Sequence, residues 1–168
     1  MEEKQVEFSV NMKTRYMFEF LYVNSYSGFR GVINYGFSVV AIIALCAGYG
    51  DSVISMIALL VLASLFTVVD PLLLLFKAWR QVKLNPAFKK PIRYTFNKLG
   101  FSLSQDDEKQ DEPWELVLLA KETAGCIILF TGNNNALVLP KKDIGSELGA
   151  FKDLLTEMRP AESRKLKK

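Results

Sequence analysis

Two long apolar stretches dominate the pattern of hydrophobic and polar positions along the chain. They cover residues 32–48 and 53–76, and between residues 32 and 76 the charged side chains are Asp51, in the connection, and Asp70. Neither stretch shows the polar stripe that a helix of a soluble bundle presents at 3.6-residue spacing. An apolar stretch of roughly 17–25 residues is long enough to cross a bilayer as a helix. We therefore predict two transmembrane helices, which the short turn at residues 49–52 joins as an antiparallel hairpin.

The basic residues orient this hairpin. The turn between the two apolar stretches contains no lysine or arginine, whereas both flanks of the hairpin contain several. Positively charged residues near membrane spans accumulate on the cytoplasmic side, so both termini are predicted to be cytoplasmic. The flanking basic residues are Lys4, Lys13, Arg15 and Arg30 before the hairpin and Lys77, Arg80, Lys83, Lys89, Lys90 and Arg93 after it.

An acidic residue followed by proline, Asp70-Pro71, interrupts the second apolar stretch. An ionisable side chain inside a span is by default a candidate functional site, and Asp70 is therefore a candidate intramembrane polar site. Alternatively, residues 53–69 already complete the crossing and Asp70 lies near the cytoplasmic head groups. Pro71 then starts or kinks a helix that continues to about residue 83. The second interpretation is favoured, because Lys77 follows Asp70 closely.

The segment before the hairpin, residues 1–30, predicts a strand and an amphipathic helix. Residues 5–10 alternate between polar and apolar side chains, which is typical of a half-buried strand. Residues 12–25 carry apolar side chains at helical spacing, and this face is broad enough to lie at the membrane surface.

The segment after the hairpin, residues 85–159, predicts short strands followed by one helix. Alternating apolar residues and turn signals place five strands near residues 92–96, 101–103, 113–121, 126–131 and 136–139. Residues 105–112 are acidic and predict a solvated loop, while residues 132–135 predict a hairpin tip, because Gly and Asn tolerate positive φ. An amphipathic helix is predicted over residues 146–158, and residues 160–168 form a basic tail that predicts disorder.

Together these elements predict an α+β membrane protein. Its two-helix transmembrane hairpin, within residues 31–84, is inserted into a small antiparallel sheet of about six strands that a C-terminal amphipathic helix closes. The N-terminal strand is expected to join this sheet, because both ends of the hairpin lie on the same side of the membrane.

The composition offers little catalytic chemistry. The sequence has no histidine, which excludes histidine-dependent nucleophiles and histidine-ligated metals. Cys46 and Cys126 are both interpreted as small buried hydrophobic residues. No phosphate-binding loop, metal-spaced cluster or nucleophile elbow is present, so we expect no cofactor, no metal and no enzymatic activity. A net charge of +3 does not favour nucleic-acid binding.

Several short motifs follow one another in an order that resembles one family. A tryptophan opens the segment after the membrane hairpin, a Lys-Glu-Thr follows, and an apolar-Pro-Lys-Lys sequence precedes the final helix. They are Pro113-Trp114-Glu115, Lys121-Glu122-Thr123, Phe130, Val138-Leu139-Pro140-Lys141-Lys142 and Phe151. The chain resembles the YcxB-like membrane proteins of bacteria. The resemblance implies a cytoplasmic part similar to pleckstrin-homology (PH) folds and a bacterial plasma-membrane location, and it implies no established activity.

Because the resemblance implies no established activity, three classes of function remain open. The first is a non-enzymatic, membrane-anchored binding or scaffold protein whose partners are membrane lipids and either another membrane protein or a second copy. Its candidate lipid or partner contacts are Lys89, Lys90, Arg93, Lys141 and Lys142, which ordinary solubilising charges would explain equally. The second is an immunity protein against a toxin or bacteriocin. The third is an enzyme using a Ser-Lys pair, which no sequence motif supports.

Overall fold

The computed structural model describes residues 5–27, 29–132 and 135–166, with no account of the Arg30 side chain. Lys4, Gly28, the centre of the predicted hairpin tip (Asn133 and Asn134) and the last two residues of the basic tail lie outside the described residues. The described residues form a mixed α+β structure with antiparallel sheets, as the sequence pattern predicts.

Six α-helices occur among the described residues. They are α1 (Thr14–Tyr26), α2 (Phe29–Cys46), α3 (Val53–Ser64), α4 (Asp70–Leu84), α5 (Lys141–Ile144) and α6 (Leu148–Met158). Ser52 caps α3, since its hydroxyl accepts a hydrogen bond of 3.1 Å from the Ser55 backbone N–H. A π-helical segment, Leu65–Val69, joins α3 to α4, so that the chain is helical without a break over Val53–Leu84.

The first sheet, sheet A, contains strands from both sides of the apolar hairpin. Its order is β1 (Val6–Val10), β2 (Ile92–Phe96), β3 (Phe101–Gln105) and β4 (Glu108–Glu112), all antiparallel. Strand β1 pairs with β2 over its full length, from Val6 opposite Phe96 to Val10 opposite Ile92. The prediction that the N-terminal strand joins the downstream sheet is confirmed. Helices α1 to α4 are therefore an insertion between two neighbouring strands of one sheet.

The second sheet, sheet B, has the order β7-β6-β5-β8. It consists of β5 (Leu119–Glu122), β6 (Cys126–Phe130), β7 (Ala136–Pro140) and β8 (Arg164–Lys165). Strands β5 to β7 are antiparallel, and β8 runs parallel to β5 at the edge of the sheet.

Three predictions about strands were wrong. The strands form two sheets rather than one, residues 105–112 contain strand β4 instead of only a loop, and the basic tail contributes β8 instead of being disordered throughout. Strand β4 has no buried side chain, so the alternation that marks a half-buried strand is absent from it. Strand β8 is too short to show any period. The strand predicted from residue 113 begins only at Leu119, after a 3₁₀ turn at Trp114–Leu116.

Aromatic side chains from sheet A, from the 3₁₀ turn at Trp114 and from α6 form the centre of the core. The Phe96 side chain is fully buried, and its ring centroid lies 4.7 Å from that of Phe151 and 5.8 Å from that of Trp114. The Phe8 ring of β1 lies 5.6 Å from Phe151. The Trp114 indole N–H donates a 2.8 Å hydrogen bond to the Asn97 carbonyl, which satisfies its polar group inside the core. The final helix packs on the core as predicted, although the strands form two sheets and not the single sheet expected.

Helix α1 forms a layer between α4 and sheet B. It packs on α4 on one side and on β6 and β7 on the other. Its Met17, Phe20 and Leu21 side chains are buried, and the Phe20 ring centroid lies 6.0 Å from that of Phe130 in β6. The apolar face of α1, which the sequence places at the membrane surface, is instead covered by other parts of the protein.

By length and composition, one helix among the described residues, Val53–Leu84, is able to cross a membrane, with a mean hydropathy of 2.4 in its most apolar window. Helices α1 and α2 add a second candidate only when they are counted together, as a pair bent by 81°. Helix α2 packs along α3, and most of the apolar side chains of both are exposed. Cys46, interpreted from sequence as buried, is among the exposed residues, whereas Cys126 is buried.

Candidate functional site: the junction of the helices with sheet B

Three groups of polar contacts, around Tyr26, Glu122 and Glu19, hold the helices to one another and to sheet B, and together they form the junction. The first group lies where α1 ends beside the π-helical segment. In that segment the N–H of Asp70 bonds to the carbonyl of Leu65, five residues earlier. The next residue, Pro71, has no N–H, so the Phe66 carbonyl receives no hydrogen bond from the helix. The Tyr26 hydroxyl lies 2.9 Å from this carbonyl and 2.6 Å from Asp70 Oδ2, and its one hydrogen is shared between these two acceptors. One side chain of α1 thus satisfies the carbonyl that Pro71 leaves free and binds the Asp70 carboxylate.

Two further tyrosines surround this contact. The Tyr26 ring centroid lies 4.7 Å from that of Tyr22 and 5.1 Å from that of Tyr35 in α2. The hydroxyls of Tyr22 and Tyr35 are hydrogen-bonded to each other. The structure thus places the candidate polar site Asp70 in a contact that links α1 to the second long helix.

Replacing Tyr26 by phenylalanine is expected to weaken this junction. The Phe66 carbonyl and the Asp70 carboxylate both lose their donor, which for a bond to a charged group costs about 1.5–3 kcal/mol of unfolding free energy. Thermal unfolding of the full chain in lipid nanodiscs measures this loss. Tyr49→Phe is the matched control, because the Tyr49 side chain is exposed. Equal stability of Tyr26→Phe and Tyr49→Phe would show that the contact contributes nothing.

The second polar feature is a buried ionic cluster around Glu122, at the end of β5. The Glu122 side chain is only 4% exposed, and its two oxygens lie 2.7 Å from Lys141 Nζ and 2.9 Å from Lys152 Nζ. Lys141 also donates a 2.7 Å hydrogen bond to the Thr123 carbonyl. A buried carboxylate requires such compensation, because removing its charge from water costs several kcal/mol. The cluster joins β5 to α5 and α6.

The third polar feature links α1 to the turn between β5 and β6. One Glu19 carboxylate oxygen accepts a 2.8 Å hydrogen bond from the Gly125 N–H, and the other lies 3.7 Å from Cys126 Sγ. Burial raises the pKa of Glu19, but hydrogen bonds from Thr123, Gly125 and Cys126 outweigh it and hold the pKa below its ordinary value. The ionised form of Glu19 is therefore the one that fastens α1 to sheet B.

Acidification is expected to weaken this link. Because the folded-state pKa is lower than the ordinary value of 4.5, the stabilisation is present above pH 4.5 and is lost as the pH falls through the folded-state pKa. The variant Glu19→Gln should therefore lose less stability than the wild type when unfolding is measured between neutral and acidic pH. Glu115→Gln, at an exposed site, is the control and should behave like the wild type. Parallel acid profiles of Glu19→Gln and the wild type would contradict the assignment.

Three of the five basic residues that the sequence singles out are engaged by carboxylates. Lys90 Nζ lies 2.7 Å from Asp106, Arg93 Nε lies 3.4 Å from Glu7, and Lys141 belongs to the Glu122 cluster. Lys89 and Lys142 are exposed. These five residues therefore do not constitute one free basic surface.

Sequence reasoning did not identify Glu19 or Lys152 as site residues, and it included Glu122 only in a family motif. Both glutamates belong to segments whose pattern is otherwise typical of amphipathic elements. Glu19 meets Gly125 and Glu122 meets Lys152, and in both cases the partners lie far apart in the sequence. No local spacing therefore marks either contact. Only the packing of α1 and α6 on sheet B brings these groups together.

The junction consists of hydrogen bonds and ion pairs that join the helices to one another and to sheet B. Burial, with the nearby Glu19 carboxylate, raises the pKa of Cys126, so its thiol stays protonated at neutral pH. Within the described part of the chain, no group of three or more Cys, Asp or Glu residues is placed to hold a metal ion. The Glu122 carboxylate binds both Lys141 and Lys152, and its single negative charge balances one of their two positive charges.

Comparison with known proteins gives one match. A family model described as YcxB-like protein matches residues 96–155, about a third of the chain. The match covers the strands from Phe96 to β7, helix α5 and most of α6, which includes Glu122, Lys141 and Lys152. No curated protein and no solved structure matches the chain.

Proposed function

We propose that this chain is a two-span membrane protein that holds a non-enzymatic, PH-like binding or scaffold module against the cytoplasmic face of a bacterial plasma membrane. Helices α2 and α3 with the π-helical segment are the spans, and both termini are cytoplasmic. The partners are membrane lipids and a membrane protein or a second copy of the chain. The YcxB-like match over residues 96–155 supports the family resemblance from which the bacterial location is inferred.

The observation that carries this proposal is the pairing of β1 with β2 across the helical insertion. The pairing requires the chain to leave and re-enter the same sheet, so both ends of the insertion must lie on one side of a membrane. The insertion itself exposes the apolar side chains of α2 and α3, which water does not stabilise and a bilayer does. The connecting turn lacks basic residues, in agreement with the positive-inside rule.

The cytoplasmic module supports a PH-like assignment by its order of elements. Two antiparallel meanders, β1 to β4 and β5 to β7, are followed by helix α6, whose Phe151, Leu154 and Leu155 side chains are fully buried. This arrangement agrees with a bent antiparallel sheet closed by a C-terminal helix. The buried polar groups of the junction hold the helices to sheet B, which supports a module packed directly on its anchor.

Topology is tested by labelling single cysteines in intact cells with a membrane-impermeant maleimide. In a chain with Cys46→Ala, the variant Asp51→Cys should be labelled from outside, whereas Lys142→Cys should be labelled only after the membrane is opened. The opposite pattern, or extraction of the chain by alkaline carbonate, would refute the two-span anchor. Crosslinking in intact membranes then tests the binding role, which requires a stoichiometric protein or lipid to be recovered with the chain.

A further inference from the structure

Helix α4 presents an apolar face that no other part of the described chain covers. Leu72, Phe76 and Trp79 are 59%, 58% and 45% exposed. Their spacing of four and three residues places them on one side of the helix, together with Lys83. The opposite side contains the buried Leu74 and Ala78, which face α1. Helix α4 therefore has two apolar sides. One packs on α1, and the other has no partner among the described residues.

The position of α4 shows which direction this face points. Helix α1 lies between α4 and sheet B, so the exposed side of α4 faces away from the cytoplasmic module. The face is also continuous with the apolar surface of α3, because the helix runs from Val53 to Leu84 without a break. Pro71 and the π-helical segment, which are both recognised causes of helix kinks, lie where α3 meets α4.

The charges at the border of this face suit a phospholipid surface. Lys77, Arg80 and Lys83 are exposed, with Lys83 on the apolar side itself and Arg80 next to it. Lys83 Nζ lies 4.8 Å from the Trp79 ring centroid, and Trp79 lies 5.8 Å from the Phe76 ring. Tryptophan with neighbouring lysine and arginine is the combination found where helices meet the head-group region, since the rings are buried while the charges reach phosphate.

We propose that α4 lies in the interface of the cytoplasmic leaflet, with Leu72, Phe76 and Trp79 inserted at the boundary of the acyl chains and the head groups. This inference rests on the proposed membrane anchor. It shortens the second span, which ends near the π-helical segment and not at residue 76. Interfacial helices of this type bury their apolar face by roughly 5–10 Å below the head groups. The module would then be held against the bilayer by α4 and not only tethered to it, with α1 as the layer between.

The two tryptophans of the chain allow a direct test. The full chain is reconstituted in phospholipid vesicles whose lipids carry bromine, a fluorescence quencher, either near the glycerol end or near the middle of the acyl chain. Trp79 is expected to lose most of its emission, and more with the shallow bromine than with the deep one. Trp114, which is buried in the module, should not be quenched. The variant Trp79→Phe retains Trp114 and should therefore lose the lipid-dependent quenching.

Three results would overturn this inference. Quenching of Trp79 mainly by the deep bromine would show that α4 continues the span through the membrane core. Absence of quenching would show that α4 does not contact lipid, and crosslinking between copies through this face would assign it to a second chain. Carbonate extraction of the same vesicles separates these results from failure of the anchor itself. A chain that resists extraction keeps the two-span proposal even if Trp79 is not quenched.

Discussion

Deletion of residues 1–10 is expected to unfold the cytoplasmic module while the apolar helices remain in the membrane. The deletion removes β1, whose Val6, Phe8 and Val10 side chains are 2%, 7% and 1% exposed. Burial of each such side chain contributes roughly 1.5–3 kcal/mol, and a domain is typically stable by only about 5–15 kcal/mol. Strand β2 would also lose its hydrogen-bonded partner, so one of its edges would become exposed. Protease sensitivity of the module in membrane vesicles measures the effect.

A matched control keeps the strand and changes only its outer face. In β1 the Glu7 and Ser9 side chains point away from the core, so Glu7→Ala with Ser9→Ala should leave the module resistant to protease. Loss of resistance in both variants would show that the N-terminus is generally sensitive rather than that β1 is required. Full resistance of the deleted chain would mean that the helices are a plain anchor.

Replacement of both Lys141 and Lys152 by methionine is expected to be strongly destabilising. Glu122 would then keep its burial without its two cationic partners, and breaking a buried ion pair by removing one side typically costs about 3–5 kcal/mol. Chemical denaturation of the reconstituted chain, followed by the emission of Trp114, reports this loss in the module.

The control for this prediction is the triple variant Glu122→Met with Lys141→Met and Lys152→Met. Hydrophobic replacement of an entire buried ionic cluster is often neutral or stabilising, so the triple variant should recover much of the lost stability. If the triple variant is as unstable as the double variant, the defect comes from the lost lysine packing or from the Thr123 carbonyl, and the charge of Glu122 is not its cause.

The periodic elements of this fold are predictable from sequence because each of them has a buried and an exposed side. Strand β1 alternates strictly between buried and exposed positions, and α6 carries its apolar residues at helical spacing, so both were predicted close to their observed bounds. The short turn at residues 49–52 and the capping role of Ser52 also follow from local chemistry.

The elements and contacts that sequence did not reveal depend on tertiary partners. Strand β4 is exposed on both faces and β8 has two residues, so neither carries a hydrophobic period. Burial of α1 beneath α4 could not be inferred, because an apolar helical face packs equally well on lipid or on protein. Glu19 meets Gly125 only after α1 folds back over sheet B, which no local spacing encodes.

The central claim is that a membrane hairpin interrupts one sheet, and the register of β1 with β2 in native membranes tests it most directly. In a chain with Cys46→Ala and Cys126→Ala, Glu7→Cys is combined with Thr95→Cys, its partner in the sheet, or with Arg93→Cys, which is displaced from it along β2. Mild oxidation of intact membranes should link the Glu7→Cys and Thr95→Cys pair within one chain, and should link the displaced pair far less. Equal yields from the two pairs, or no link in either, would contradict the account.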